Sequence, residues 1–240
     1  MRQLTLLMVM MIGFVSSEAQ GELGIGQWEA HLPYQLAHQV ELGDNKAYYA
    51  TEQSILIIDL EDDSYRFLSK VDGLSEAGVR EILYDEVSDQ LIIAYASSVV
   101  DIVQGSEVLR VSDIADKADI QGDKLIYDMH VQDQLLYLAT GFGLVEFDLE
   151  SLEFGFTLDI STRVNSVDGA DGRLVIATED GAYRLDLSST NVPAFFEEWE
   201  KLERGLPEGD VADVYMVDNR TMLAIGSALY VSEDLSLIHI

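Results

Sequence analysis

The stretch QLLYLATGFGLVEFDL, Gln134–Leu149, decides the fold. Leu135, Tyr137 and Ala139 alternate on the way into a turn; Leu144, Glu146 and Asp148 alternate with Val145, Phe147 and Leu149 on the way out. Gly141 and Gly143 stand between the two runs, where positive φ is expected and a Cβ would cost. Related copies are KAYYATEQSILIIDL (Lys46–Leu60), QLIIAYASSVVDIV (Gln90–Val103) and RLVIATEDGAYRLDL (Arg173–Leu187), with a frayed fifth, TMLAIGSALYV, at Thr221–Val231. Anchored on Ala50, Ala94, Ala139 and Ala177, the copies are spaced 44, 45 and 38 residues apart. A period of that length filled by strands is the signature of β-propeller blades. The fold class is therefore all-β, an incomplete propeller of about four and a half four-stranded blades, and a seven-bladed ring is the expected whole.

The chain has 240 residues, 48% of them hydrophobic, enough to bury a core. Fourteen Lys and Arg face 44 Asp and Glu, a formal charge of −30. Such a field disfavours nucleic acid, whose phosphates attract basic surfaces, and reads first as a highly hydrated exterior. With no cysteine there is no disulfide, thiolate nucleophile, Cys-ligated metal or lipobox anchor.

Residues 1–19, MRQLTLLMVMMIGFVSSEA, combine Arg2, the apolar run Leu4–Val15 and small Ser17 and Ala19. That is a signal-peptide pattern with cleavage expected between Ala19 and Gln20, and the run is too short to span a bilayer. No transmembrane segment is expected after its removal. Residues 20–36 form a linker and, through Trp28-Glu29, a strand similar to Trp199-Glu200 of the fourth blade. This strand is expected to close a ring by completing its last blade. Residues 37–234 carry the blades. Their inner strands are expected to be apolar on both faces, the fourth blade to end in the outer strand FFEEWEKL, and the fifth to stop after three strands. Residues 235–240, LSLIHI, match the translation of a transposase-adapter sequence used in sequencing libraries; they are read as an artefact at the end of a truncated coding sequence.

Asp168-Gly169-Ala170-Asp171-Gly172 lacks the later ligands and closing Glu of a calcium loop and reads as a hairpin turn. Asp85-Glu86 with Asp89, and Glu61-Asp62-Asp63, read the same way. His31, His38, His130 and His239 show no metal-ligand spacing, and no nucleophile elbow is present. Among 44 acids some carboxylate pair will meet by chance, so a glycosidase-like pair is not a signal in itself. No catalytic, metal, cofactor or ligand-binding residue is assigned, and no cofactor is expected.

Asp72-Gly73-Leu74-Ser75 before Val79, and Arg204-Gly205-Leu206-Pro207 before Val211, are one inter-blade connector. With Ala50-Thr51, Ala139-Thr140 and Ala177-Thr178 in the second strands, the pattern resembles two-component-regulator propeller repeats, their usual Trp replaced by Tyr48, Ile92, Tyr137 and Val175. More narrowly, GQWEAHLPY (Gly26–Tyr34), KVDGLSEAGV (Lys70–Val79) and TGFGLVEFDL (Thr140–Leu149) resemble the N-terminal propeller of the PorZ family, surface components of the type IX secretion system of Bacteroidetes. The resemblance covers about Gly26–Asp234. It implies two seven-bladed propellers followed by a C-terminal sorting β-sandwich, display on the cell surface, a role in attaching secreted cargo to anionic lipopolysaccharide, and the sortase as a partner. The reading is thus an exported, non-enzymatic binding module. Its alternatives are the periplasmic sensing propeller of a hybrid two-component regulator, which a downstream transmembrane helix and kinase would reveal, and a propeller-fold glycoside hydrolase or lyase.

Overall fold

The computed structural model describes residues 36–120, 122–190, 192–217, 220–233 and 236–239. The signal-peptide reading with Ala19 and Gln20, the Trp28-Glu29 strand and His31 lie outside these residues. Among the described residues the strands form five antiparallel sheets, each running up and down in chain order. The first holds β1 (Gln39–Gly43), β2 (Lys46–Ala50), β3 (Ser54–Asp59) and β4 (Tyr65–Ser69). The second holds β5 (Val79–Asp85), β6 (Gln90–Tyr95), β7 (Val100–Gln104) and β8 (Glu107–Val111), followed by the one-turn helix α1 (Asp113–Asp116). The third holds β9 (Ile126–Gln132), β10 (Leu135–Thr140), β11 (Gly143–Asp148) and β12 (Glu153–Asp159). The fourth holds β13 (Val164–Ala170), β14 (Arg173–Thr178), β15 (Gly181–Asp186) and β16 (Glu200–Lys201). The fifth holds β17 (Asp213–Val217), β18 (Arg220–Ile225), β19 (Ala228–Glu233) and β20 (Ser236–His239).

Turn chemistry explains the hairpins. Asp44-Asn45, Asp133-Gln134 and Asp171-Gly172 each link an inner strand to the next through two residues with positive φ. That mirror-image turn matches the twist of paired strands, and Asp and Asn tolerate it. The second hairpins use a different latch. Thr51, Thr140 and Thr178 are buried, and each hydroxyl donates to the carbonyl three residues on, at 2.8–2.9 Å. The Ala-Thr pair of the repeat is therefore a turn staple behind a small residue that lets blades approach. Of the two turn glycines, only Gly143 has positive φ (153°). Gly141 is needed for space instead: a Cβ there would come within 2.5 Å of the Asp123 carbonyl.

The core is a series of layers between blades. Four apolar clusters join the first blade to the second, the second to the third, the third to the fourth and the fourth to the fifth. Second strands feed both neighbouring layers: Ile93 of β6 packs toward the first blade and Ile92 toward the third, both fully buried. Each such side chain contributes roughly 1.5–3 kcal/mol.

Three expectations are corrected. Apolar residues on both faces belong to β6, β10 and β14, whereas the innermost strands place polar side chains toward the following blade. The FFEEWEKL stretch is mostly not a strand: Phe196–Glu198 form a 3-10 turn, and only Glu200–Lys201 pair with β15. Buried Trp199 takes over the packing role of an outer strand there, its indole N–H donating to the Pro193 carbonyl at 3.0 Å. The fifth sheet has four strands, because β20 pairs with β19 from Tyr230↔His239 to Glu233↔Ser236. An exposed strand edge accepts a short segment with apolar alternation, and LSLIHI has that pattern.

The Gly143 site gives a direct test. A Cβ there would meet the Leu158 carbonyl at 1.9 Å on top of an unfavourable φ. We predict that Gly143→Ala loses at least ~2 kcal/mol in urea unfolding. Gly172→Ala, with nothing within 4 Å of its Cβ, loses only ~1 kcal/mol.

Candidate functional site

The innermost strands β1, β5, β9, β13 and β17 contact one another in series and so mark the axis on which the blades converge. Gln39, Glu81, Asp128, Ser166 and Asp213 occupy one position in the five blades, each opposite the repeat alanine of its second strand. From here side chains reach the backbone of the next blade. Gln39 accepts from Ile82 N–H and donates to its carbonyl, both at 2.7 Å. Asp128 accepts Val167 N–H at 2.9 Å; two residues further along β13, Asp168 accepts Met216 N–H at 2.6 Å. Ser166 hydrogen-bonds with Asp213 and the backbone of Val214. A strand edge without a strand beside it is thus satisfied by side chains from the blade before it.

Glu81 makes no such bond to the blade after it: Met129 N–H, the equivalent donor, is taken by Asp128 Oδ1 at 2.8 Å. Burial, then the nearby Asp128 charge, pushes the Glu81 carboxyl up to about 7. Burial also raises Glu41 and Asp128. His130 Nδ1 lies 2.9 Å from Asp168 Oδ1, an inter-blade tie between half-buried groups, and its Nε2 has no hydrogen-bond partner among the described residues. His38 contacts the Arg80 carbonyl at 3.1 Å. No side chain of His239 is described.

At one end of these strands the charge pattern changes. β5, β9 and β13 each carry a bulge, at Arg80, Tyr127 and Asn165 respectively. A bulge re-aims its side chain, and bulges gather beside functional sites. Here Arg80 from the second blade and Arg163 from the fourth both approach the Tyr127 ring of the third, at 4.9 and 5.1 Å from its centre. Arg80 Nε donates to the Ile126 carbonyl at 2.9 Å, Arg163 Nε donates to Asn165 Oδ1 at 2.5 Å, and Arg163 pairs with Glu179 at 3.3 Å. The Tyr127 hydroxyl donates to Asp123. The guanidiniums are thereby fixed through Nε and stacked on one ring. This is a preorganised arrangement for a planar or multiply bonded anion, since guanidinium forks match carboxylate and phosphate.

Composition gave no hint of this cluster, because 14 basic residues are sparse in a chain of −30. Its sequence signal is positional: Arg80, Tyr127 and Asn165 each follow the buried first residue of an inner strand (Val79, Ile126, Val164). Asp171-Gly172 is a hairpin turn as expected, but Asp168 lies within β13 as an inter-blade acceptor. Asp85 caps its own turn by accepting Val87 and Ser88 N–H. Among the described residues no group of three or more His, Cys, Asp and Glu is placed to hold a metal, and no helix is long and apolar enough to cross a membrane.

Fold and site together define a propeller arc with a polar axis and, at one end of it, two arginines stacked on a tyrosine. Residues 47–200 match the family model of the type IX secretion protein PorZ, N-terminal β-propeller domain, and the chain belongs to that family. Among solved structures it is similar to PorZ of Porphyromonas gingivalis, described as an essential bacterial surface component of the type IX secretion system, at 22% identity and TM-score 0.74. It covers 85% of this chain and 28% of PorZ, so the chain spans under a third of that protein's length. The extracellular domain of the one component system BT4673 from B. thetaiotaomicron matches at 11% identity and TM-score 0.66, over 86% of this chain and 28% of that one. Sqt1 of Saccharomyces cerevisiae matches at 10% identity and TM-score 0.60, over 85% and 59%. At such identities these likenesses are of fold. No curated protein matches the chain in sequence.

The Glu81 environment predicts a pH dependence. Its folded pKa lies above the ordinary 4.5, so the folded state holds the proton more tightly. The stability it contributes is present below pH 4.5 and is lost as pH rises through about 7. Glu81→Gln flattens that part of the profile in denaturant titrations from pH 4.5 to 8; an unchanged slope overturns the assignment.

Proposed function

We propose that this chain is an exported, non-enzymatic binding and scaffold propeller of the type IX secretion machinery, acting at the cell surface. There it helps attach secreted cargo to anionic lipopolysaccharide in company with the sortase. Family membership over residues 47–200 supports the secretion context. The observation that carries the ligand class is the Arg80–Tyr127–Arg163 cluster. It sets two guanidiniums on one aromatic face, Arg163 paired with Glu179, and the N–H groups that these contacts leave over are the donors an anionic saccharide would engage.

Immobilised lipopolysaccharide carrying an anionic glycan provides the test. The Arg80→Ala/Arg163→Ala variant of the full-length exported protein binds it at least tenfold more weakly than the parent, and a neutral-glycan lipopolysaccharide binds the parent weakly. Equal binding by parent and variant overturns the site assignment. Export is tested separately: mass spectrometry of protein from its native host gives a mature chain beginning at Gln20, and a chain retaining Met1 overturns it.

A further inference from the structure

Away from the axis, a groove of about 490 Å³ opens where the connector after the second blade passes the outer strands of the third. Its floor is apolar: Ile114, Ile120, Phe142, Val145 and Phe154. That volume lies in the range of ligand pockets and exceeds the needs of one side chain.

The walls are held in place by specific interactions. Lys124 Nζ donates to the carbonyls of Ala115 (3.0 Å) and Lys117 (2.5 Å), tying α1 and the residues after it to the start of β9. On the other side β12 carries a bulge: Val145 pairs with Thr157 and Phe147 with Phe154, leaving Gly155 and Phe156 opposite Glu146 alone. Two residues against one reverses the strand's facing, so Phe154 and Thr157, three apart, both line the groove. At Gly155 the Glu146 carboxyl lies against the bulge, 2.0 Å from where a Cβ would stand.

Two features identify the occupant. At the groove Asp113 and Asp116 stand beside Lys117 and the Lys124 ammonium, which is held on backbone carbonyls, so the local charges balance and the field of a chain of −30 favours positive charge beside the apolar floor. In addition, β12 is the edge strand of its sheet, and edge strands offer an extended chain backbone partners. We propose that this groove binds an extended peptide segment presenting a bulky apolar side chain next to a Lys or Arg. The proposal is independent of the axial site and of the lipopolysaccharide reading.

Methyl-labelled isoleucine spectra of the full chain test it with the peptide acetyl-Thr-Phe-Lys-Val-amide. The δ1 methyls of Ile114 and Ile120 shift saturably, while Ile93 and Ile176, buried in other layers, stay still. Replacing Lys by Glu in the peptide weakens binding at least threefold, and replacing Phe by Gly abolishes it. Thr157→Trp fills the groove from an exposed position and abolishes the shifts with the Ile93 and Ile176 methyls unchanged. Should that variant misfold, Asp113→Lys/Asp116→Lys serves instead and weakens binding at least threefold. The proposal is overturned if Ile114 and Ile120 do not move, if the Glu peptide binds as well, or if phenethylamine alone binds as tightly as the peptide.

Discussion

Everything in this structure depends on how the innermost strands satisfy their free edges. Each pairs with one neighbour only, and its other edge turns toward the axis, where no strand can lie alongside. A buried N–H left there would cost about 1–3 kcal/mol. The solution is a side chain from the preceding blade: Gln39 for Ile82, Asp128 for Val167, Asp168 for Met216. These bonds fix the angle between consecutive sheets at the axis, while the apolar layers farther out fill the wedge between them. Burial supplies the larger energy, and the clamps decide the geometry in which it is realised.

The same position explains the unusual chemistry of the axis. Carboxylates suited to receiving N–H groups are gathered where the blades are closest. Where the receiving N–H is already occupied, as at Met129, the acid gains no backbone donor from the next blade, and burial raises its pKa more than Arg80 and Gln39 lower it: this is Glu81. The bulges one residue before these positions let Arg80 and Asn165 reach the next blade's carbonyls of Ile126 and Val211, and let Tyr127 present its ring between two arginines. Structural ties and a candidate anion site are thus built from the same local irregularity.

Much of the fold was legible because its signals are local. Alternation, the Ala-Thr pairs, and the Asp and Gly turn residues lie within a few residues of what they determine. The axial clamps were not legible, since Asp128 and Val167, or Asp168 and Met216, are 39 and 48 residues apart. That separation is close to the repeat period, so aligning the repeats on their alanines places Gln39, Asp128, Ser166 and Asp213 in one column, while Glu81 stands two residues off it because the turn between β5 and β6 is two residues longer than its counterparts. Polar residues recurring in a column of otherwise buried strands are the available trace. The Arg–Tyr–Arg cluster left only a positional trace, Arg80 and Tyr127 each following the buried first residue of an inner strand, because bulges alter register without altering composition. The fifth blade's last strand escaped notice because LSLIHI lies where the internal repeat had ended.

The clamps also point one way. A side chain of one blade always holds the backbone of the next, so the arc has a polarity distinct from that of its strands. Although the blades look like repeated copies, they are therefore not interchangeable units. Exchanging the second and fourth would preserve the apolar layers in outline, yet would set Glu81 against the inner strand of the fifth blade, where Ser166 and Asp168 now hold Val214 and Met216. Gene duplication can lengthen such a ring readily, but each copy must then diverge at one column to fit its particular neighbour. The order of the blades is written into the axis rather than into the hydrophobic core.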